Sequence, residues 1–270
     1  MFKNRINNTT KIMVVISYIV MVAVNAMATL LPLNGKATDV ISDSYPNFFA
    51  PAGITFVIWG VIYFLLLMFV LYFLGFFNVE RNKMNTELFN RIGIIFTVTS
   101  LANAAWLFSW HWEKFLISIV IMLVMLISLM MIVMTLKQED LNTREKIFVK
   151  IPFSVYFGWI TVATIANITT YLVSINWMGL GLSEVMWTII ILIVGMVIGL
   201  MTILINEDKS YGLVMIWAYS GILIKHFSTD GFGSQYPTIM ITIILSLIIF
   251  VLAEAYLLLK KKRNYNQIGR

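Results

Sequence analysis

The sequence predicts an all-α fold, a polytopic membrane bundle of about eight transmembrane helices. Three observations carry that reading. The 270 residues are 60% apolar and only 12% charged, whereas a soluble domain carries roughly 25% charged residues and about 45–50% apolar ones. So few charges cannot coat a soluble exterior, and so much apolar surface excludes intrinsic disorder. The apolar runs are also long, and about 20 helical residues cross a hydrocarbon core of roughly 30 Å. Residues 115–136 are apolar except for two Ser and one Thr, without the alternating polarity of a membrane β-barrel strand.

The elements follow in order. The first helix, 12–33, comes after Lys3 and Arg5, and Ala26-Met27-Ala28 gives it the small-x-small pattern of a cleavable signal peptide. Its apolar run continues through Leu33 and reaches a full membrane width, which favours a retained span. The second helix, 54–77, opens after the Pro51–Gly53 turn. The third and fourth, 92–110 and 115–136, are separated by four residues, and the fifth occupies 151–173. Ser183 and Glu184 open the sixth, 186–205, with a cap and a favourable dipole charge. The seventh, 211–224, is the shortest, and its length suits a tilted, half-buried or re-entrant segment. The eighth, 236–259, runs into a basic tail.

Basic residues set the expected orientation. With eight spans and a cytoplasmic N-terminus, sixteen of the nineteen Lys and Arg fall inside, leaving only Lys36, Lys114 and Lys225 outside. Both termini are therefore expected in the cytoplasm, and in a bacterium the membrane would be the plasma membrane. The formal net charge of +6 then reports topology, so no nucleic-acid partner is expected.

Chemistry-bearing residues are few. There is no cysteine, and only His111 and His226 could offer imidazole, so no metal site and no catalytic residue is assigned. Both histidines are expected at the outer surface. Glu254 is the one intramembrane acid, expected to pair or snorkel toward the Lys260–Arg263 cluster. Trp110, Trp112, Trp177 and Trp187 sit where an outer aromatic belt belongs. Trp59, Trp106, Trp159 and Trp217 lie within spans, as do Asn25, Asn103 and Asn167. Buried indoles need acceptors and amides in lipid are costly, so these residues face other helices or line a cavity. Trp59, Asn103, Trp106 and Asn167 share the outer half of the bundle by helical rise. Gly195-x-x-x-Gly199 is a close-packing motif. The loop 34–53, with Phe48 and Phe49, is long enough to be a lid or an interfacial connector.

Three segments carry a family resemblance. PAGITFVIWGVIY (51–63), NAAW (103–106) and PFSVYFGWITVATIAN (152–167) resemble the TspO/MBR family of tryptophan-rich sensory proteins, relatives of the mitochondrial translocator protein. Trp59 and Tyr63, Asn103 and Trp106, and Trp159 and Asn167 keep that family's spacings, with Tyr156 standing in for an earlier tyrosine. Ala52 stands where the family has a second proline, and Ile54 where a tryptophan commonly follows the glycine. The resemblance spans about residues 12–173. It implies a five-helix core over residues 1–175, with residues 176–270 adding three helices and a tail.

The resemblance further implies a binder or sensor of a planar hydrophobe such as a porphyrin or haem, more in keeping with a non-enzyme. Its ligand-binding residues would be Trp59, Tyr63, Asn103, Trp106, Tyr156, Trp159 and Asn167, with Phe48, Phe49, Pro51 and Gly53 as lid and turn. A transporter of hydrophobic or tetrapyrrole-like solutes is the second reading. An intramembrane enzyme acting on a porphyrin or polyene lipid is the third. The candidate partners are the lipid bilayer, a small hydrophobic ligand and a second copy of the chain.

Overall fold

The computed structural model describes residues 6–31, 33–77 and 85–268, with the side chains of 261–268 left aside. Of the basic residues used for orientation, Lys3, Arg5, Arg81, Lys83 and Arg270 lie outside the described residues. All regular structure among those described is helical. The helices are α1 (Asn8–Leu30), the short α2 (Thr38–Ser44), α3 (Ile58–Leu74), α4 (Thr86–His111) and α5 (Phe115–Lys137). After them come the single turn α6 (Thr143–Glu145), then α7 (Ile151–Ser174), α8 (Glu184–Asn206), α9 (Lys209–Phe227) and α10 (Pro237–Ile268).

Seven helical segments among the described residues are long and apolar enough to cross a membrane. They coincide with the predicted helices one to six and eight. The predicted seventh is present as α9, 19 residues long, but it is not one of those seven. Lys209, Lys225 and His226 at its ends and four hydroxyl-bearing residues along it dilute its apolar character. The short α2 was not expected.

Local sequence explains most boundaries. The side chains of Asn7, Asn85, Ser183 and Asp208 each accept a backbone N–H from the first turn of α1, α4, α8 and α9 respectively, satisfying donors that have no partner within the helix. Asn142 and Glu145 form a reciprocal capping box at α6. A wide π turn, Lys146–Lys150, precedes α7. It relieves the backbone just before Pro152, which has no N–H to donate and whose ring crowds the preceding turn.

Two compact units emerge: Met1–Ile41 with Ile58–Phe157, and Ser42–Val57 with Gly158–Arg270. In the first, α1 and α5 pack on α4, and α1 also packs on α3. Its centre is a phenylalanine cluster, with Phe69 lying 4.7 Å from Phe153 and 5.2 Å from Phe96 between ring centroids. Gly93 permits the close approach there, since a Cβ would lie 2.7 Å from Thr10 Cγ2 and 2.8 Å from Phe73 Cζ.

In the second unit α10 packs on α8 and α9. Gly195 and Gly199 do serve close packing: a Cβ would meet Tyr219 Oη at 2.7 Å or Met215 Cε at 2.6 Å. Tyr219 Oη donates to the Leu192 carbonyl at 2.7 Å and its ring meets Phe250 edge-on at 5.1 Å. Large apolar side chains such as Leu116, Val120, Ile127, Leu245 and Val251 stay exposed, the face that a helix in lipid presents outward.

Candidate functional site

Four helix-borne side chains of the first unit form one polar chain. Tyr63 Oη on α3 donates to Asn25 Oδ1 on α1. Asn25 Nδ2 donates to Asn103 Oδ1 on α4 at 2.7 Å and to the Met21 carbonyl at 2.8 Å. Asn103 Nδ2 donates in turn to Tyr156 Oη on α7 at 3.0 Å. Asn103 and Tyr156 are both fully buried, where an unpaired amide would be costly. Each link therefore removes a penalty as well as tying two helices together.

Aromatic rings surround this chain. Trp59 stacks on Tyr63, one turn further along α3, with centroids 5.7 Å apart and planes 17° from parallel. The same indole lies 5.9 Å from Trp106 and 6.2 Å from Tyr156, within the 4.5–7 Å range of interacting rings. Two donors in this group are unspent among the described residues. Trp106 Nε1 is buried without a hydrogen-bond partner, and Tyr156 Oη accepts from Asn103 while its own proton has no acceptor. The structure thus gathers Trp59, Tyr63, Asn103, Trp106 and Tyr156 into one cluster.

Trp110 is no belt residue. It is 5% exposed, lies 5.8 Å from Trp106 and 5.3 Å from Phe115, and donates its indole N–H to the Thr38 carbonyl at 3.2 Å. His111 is likewise buried rather than at the surface. Its Nδ1 lies 2.9 Å from the Leu33 carbonyl and its Nε2 3.1 Å from Thr38 Oγ1, so both ring nitrogens hold the start of the first loop.

Trp159 and Asn167, also on α7, belong to the second unit, where both are buried and Trp159 meets Phe56 edge-on at 5.9 Å. The expected lid residues lie there too. Phe48 packs 4.3 Å from Tyr236 and 4.9 Å from Phe232, Phe49 and Pro51 are buried, and Gly53 is exposed at the start of a helical turn, Gly53–Val57. This stretch is fastened to α9. Ala52 N–H donates to the Gly221 carbonyl at 3.0 Å, and Trp217 Nε1, on a half-exposed ring, donates to the Thr55 carbonyl at 3.0 Å.

His226 completes the fastening and corrects a second surface assignment. The residue is fully buried, and its Nε2–H donates to the Phe48 carbonyl at 2.9 Å. Lying beyond 211–224, it has its pKa lowered by burial, against a smaller opposing effect of the Phe48 bond. Glu254 is buried against Gly212, and Lys260, the one residue of the Lys260–Arg263 cluster whose side chain is described, bonds Glu207 instead. Sequence reasoning missed these placements because the partners are backbone carbonyls and glycines, which leave no side-chain pattern.

A family model described as TSPO-like protein matches residues 11–256. The match runs well past residue 173, where the motif resemblance stops, and takes in α8, α9 and most of α10. No curated protein and no solved structure matches the chain. The chain belongs to the TSPO-like protein family and is an integral membrane protein of helical type.

Proposed function

We propose that this TSPO-like protein binds a planar hydrophobic ligand of porphyrin or haem type among α1, α3, α4 and α7. At a coarser level, family membership suggests a membrane ligand-binding or sensor role. The observation that supports the finer reading is the pairing of stacked rings with unspent donors. Trp59 and Trp106 offer flat apolar faces, while Trp106 Nε1 and the Tyr156 hydroxyl offer protons that no described protein atom takes. A tetrapyrrole needs both, a broad π surface to stack on and a few donors for its polar edge.

The chain's own residues would bind and orient such a ligand, and no catalytic step is assigned to them. Both termini would lie in the cytoplasm. The experiment is titration of purified protein with protoporphyrin IX and with haem, followed by tryptophan-fluorescence quenching. Saturable quenching that weakens in Trp59→Ala supports the reading, and quenching indifferent to that substitution refutes it.

A further inference from the structure

The turn between α7 and α8 is folded around two indoles. Asn176, Gly179, Leu180 and Gly181 all take positive φ, between 52° and 84°, which wraps the backbone tightly over residues 176–181. Trp187 donates its indole N–H to the Gly179 carbonyl. Only glycine fits at 179, because a Cβ would stand 2.8 Å from Trp187 Cδ1. The Trp187 ring is thereby fixed, and Trp177 leans on it with centroids 4.8 Å apart at 58°.

Behind these rings lies a half-open cavity of about 440 Å³, within the second unit. That volume suits a small organic ligand, for which sites of about 300–1,000 Å³ are usual. Leu172, Val173 and Ile191 give it an aliphatic side, and Thr169, Asn176 and Thr188 a polar one. Asn47 closes one side, its amide oxygen accepting from Phe49 N–H at 3.2 Å and Thr169 Oγ1 at 3.4 Å. Among the lining residues a single one is charged, Glu184, which is exposed and has no ion-pair partner among the described residues.

We propose that this cavity is a second ligand site, specific for a lipophilic organic cation. Indole faces attract a cation through their quadrupole, and a neighbouring carboxylate adds direct attraction. No lysine or arginine lines the cavity to compete. The aliphatic side takes the ligand's hydrophobic body, and Glu184 its charge. An ammonium-bearing lipid headgroup and a free solute share this chemistry.

The test uses the full chain in maltoside micelles and equilibrium dialysis of radiolabelled tetraphenylphosphonium, corrected for partition into empty micelles. Saturable binding at one site is expected, whereas radiolabelled tetraphenylborate, of the same shape and opposite charge and dialysed on its own, should show no such site. Glu184→Gln and Trp177→Leu should each weaken binding about tenfold, with melting temperatures recorded beside the affinities. Trp59→Ala should bind the phosphonium like the parent, which keeps this site separate from the porphyrin reading. Competition by added dioleoylphosphatidylcholine supports the site with a lipid headgroup as its occupant, and lack of competition supports it with a free solute. Equal saturable binding of the borate overturns the proposal on the parent protein alone, as does undiminished phosphonium binding in a folded Glu184→Gln.

Discussion

His226 Nε2 donates to the carbonyl of Phe48 at 2.9 Å, across 178 residues of sequence. That contact, the Ala52–Gly221 backbone bond and the Trp217–Thr55 bond together hold residues 42–57 against α9. The loop between the first two long helices is thus built into the second unit by the helix whose composition least resembles a span. The other nitrogen of His226, Nδ1, is buried without a partner among the described residues.

His226→Ala should therefore lower stability by about 1–3 kcal/mol, because the part-buried Phe48 carbonyl loses its donor and the buried ring its packing. The charged imidazole would carry a second N–H with no acceptor, so the neutral form is favoured in the fold. With the folded pKa lowered from 6.5, this contribution is fully present above pH 6.5 and fades as pH falls toward the folded value. Melting temperatures of parent and His226→Ala at pH 7.5 and pH 5 check this, with the gap expected to narrow in acid.

Gly221→Ala should also destabilise, since an added methyl would fall inside the contact radius of the Thr55 side chain. Overpacking of this kind costs about 1–3 kcal/mol. Thr55→Gly should recover part of the loss in the double variant, and strict additivity in thermal melts would argue against the contact.

The Lys225–Asp43 ion pair is nearby but different in kind, with Asp43 54% exposed. Asp43→Asn should change stability by less than about 1 kcal/mol. A loss as large as that of His226→Ala would shift weight from the buried bond to the surface charge.

For the proposed porphyrin site, Trp59→Ala should lose stacking area and roughly 1–3 kcal/mol, or about 5–150-fold in affinity. Asn103→Leu should hurt ligands with polar edges more than pure hydrocarbons, since it breaks the chain to Tyr156 with little change of volume. Trp112→Ala, on an exposed ring, should leave affinity unchanged. Variants that melt earlier yet bind like the parent would make this cluster packing alone.

Reporter fusions at Lys137 and after Arg270 should both read as cytoplasmic. Opposite readings would mean that α7 to α10 do not supply an even number of crossings.

The helices were legible because an uninterrupted apolar run of membrane length has few other uses. The cluster was legible in part, since Trp59 and Tyr63 are four residues apart and four residues bring side chains onto one helix face. Asn25 showed itself only as an amide in an apolar run, and its link to Asn103 depends on how α1 meets α4. Trp110, His111 and His226 were misread for one shared reason. Each stands near a helix end, where polarity suggests surface, but each bonds a carbonyl or hydroxyl of a distant loop. Trp177 and Trp187 have belt-like positions, and only the positive-φ turn between them brings their rings together.

The bonds from Tyr63 through Asn25 and Asn103 to Tyr156 all run in one direction, donor to acceptor. No member can turn over by itself, because a single reversed amide would set two donors or two acceptors face to face. The four side chains therefore keep a common polarity, and whatever strengthens the last link polarises those before it. An acceptor that took the Tyr156 proton would make itself felt at Tyr63, on another helix, with no side chain changing rotamer. The message would be carried by charge redistribution rather than by movement.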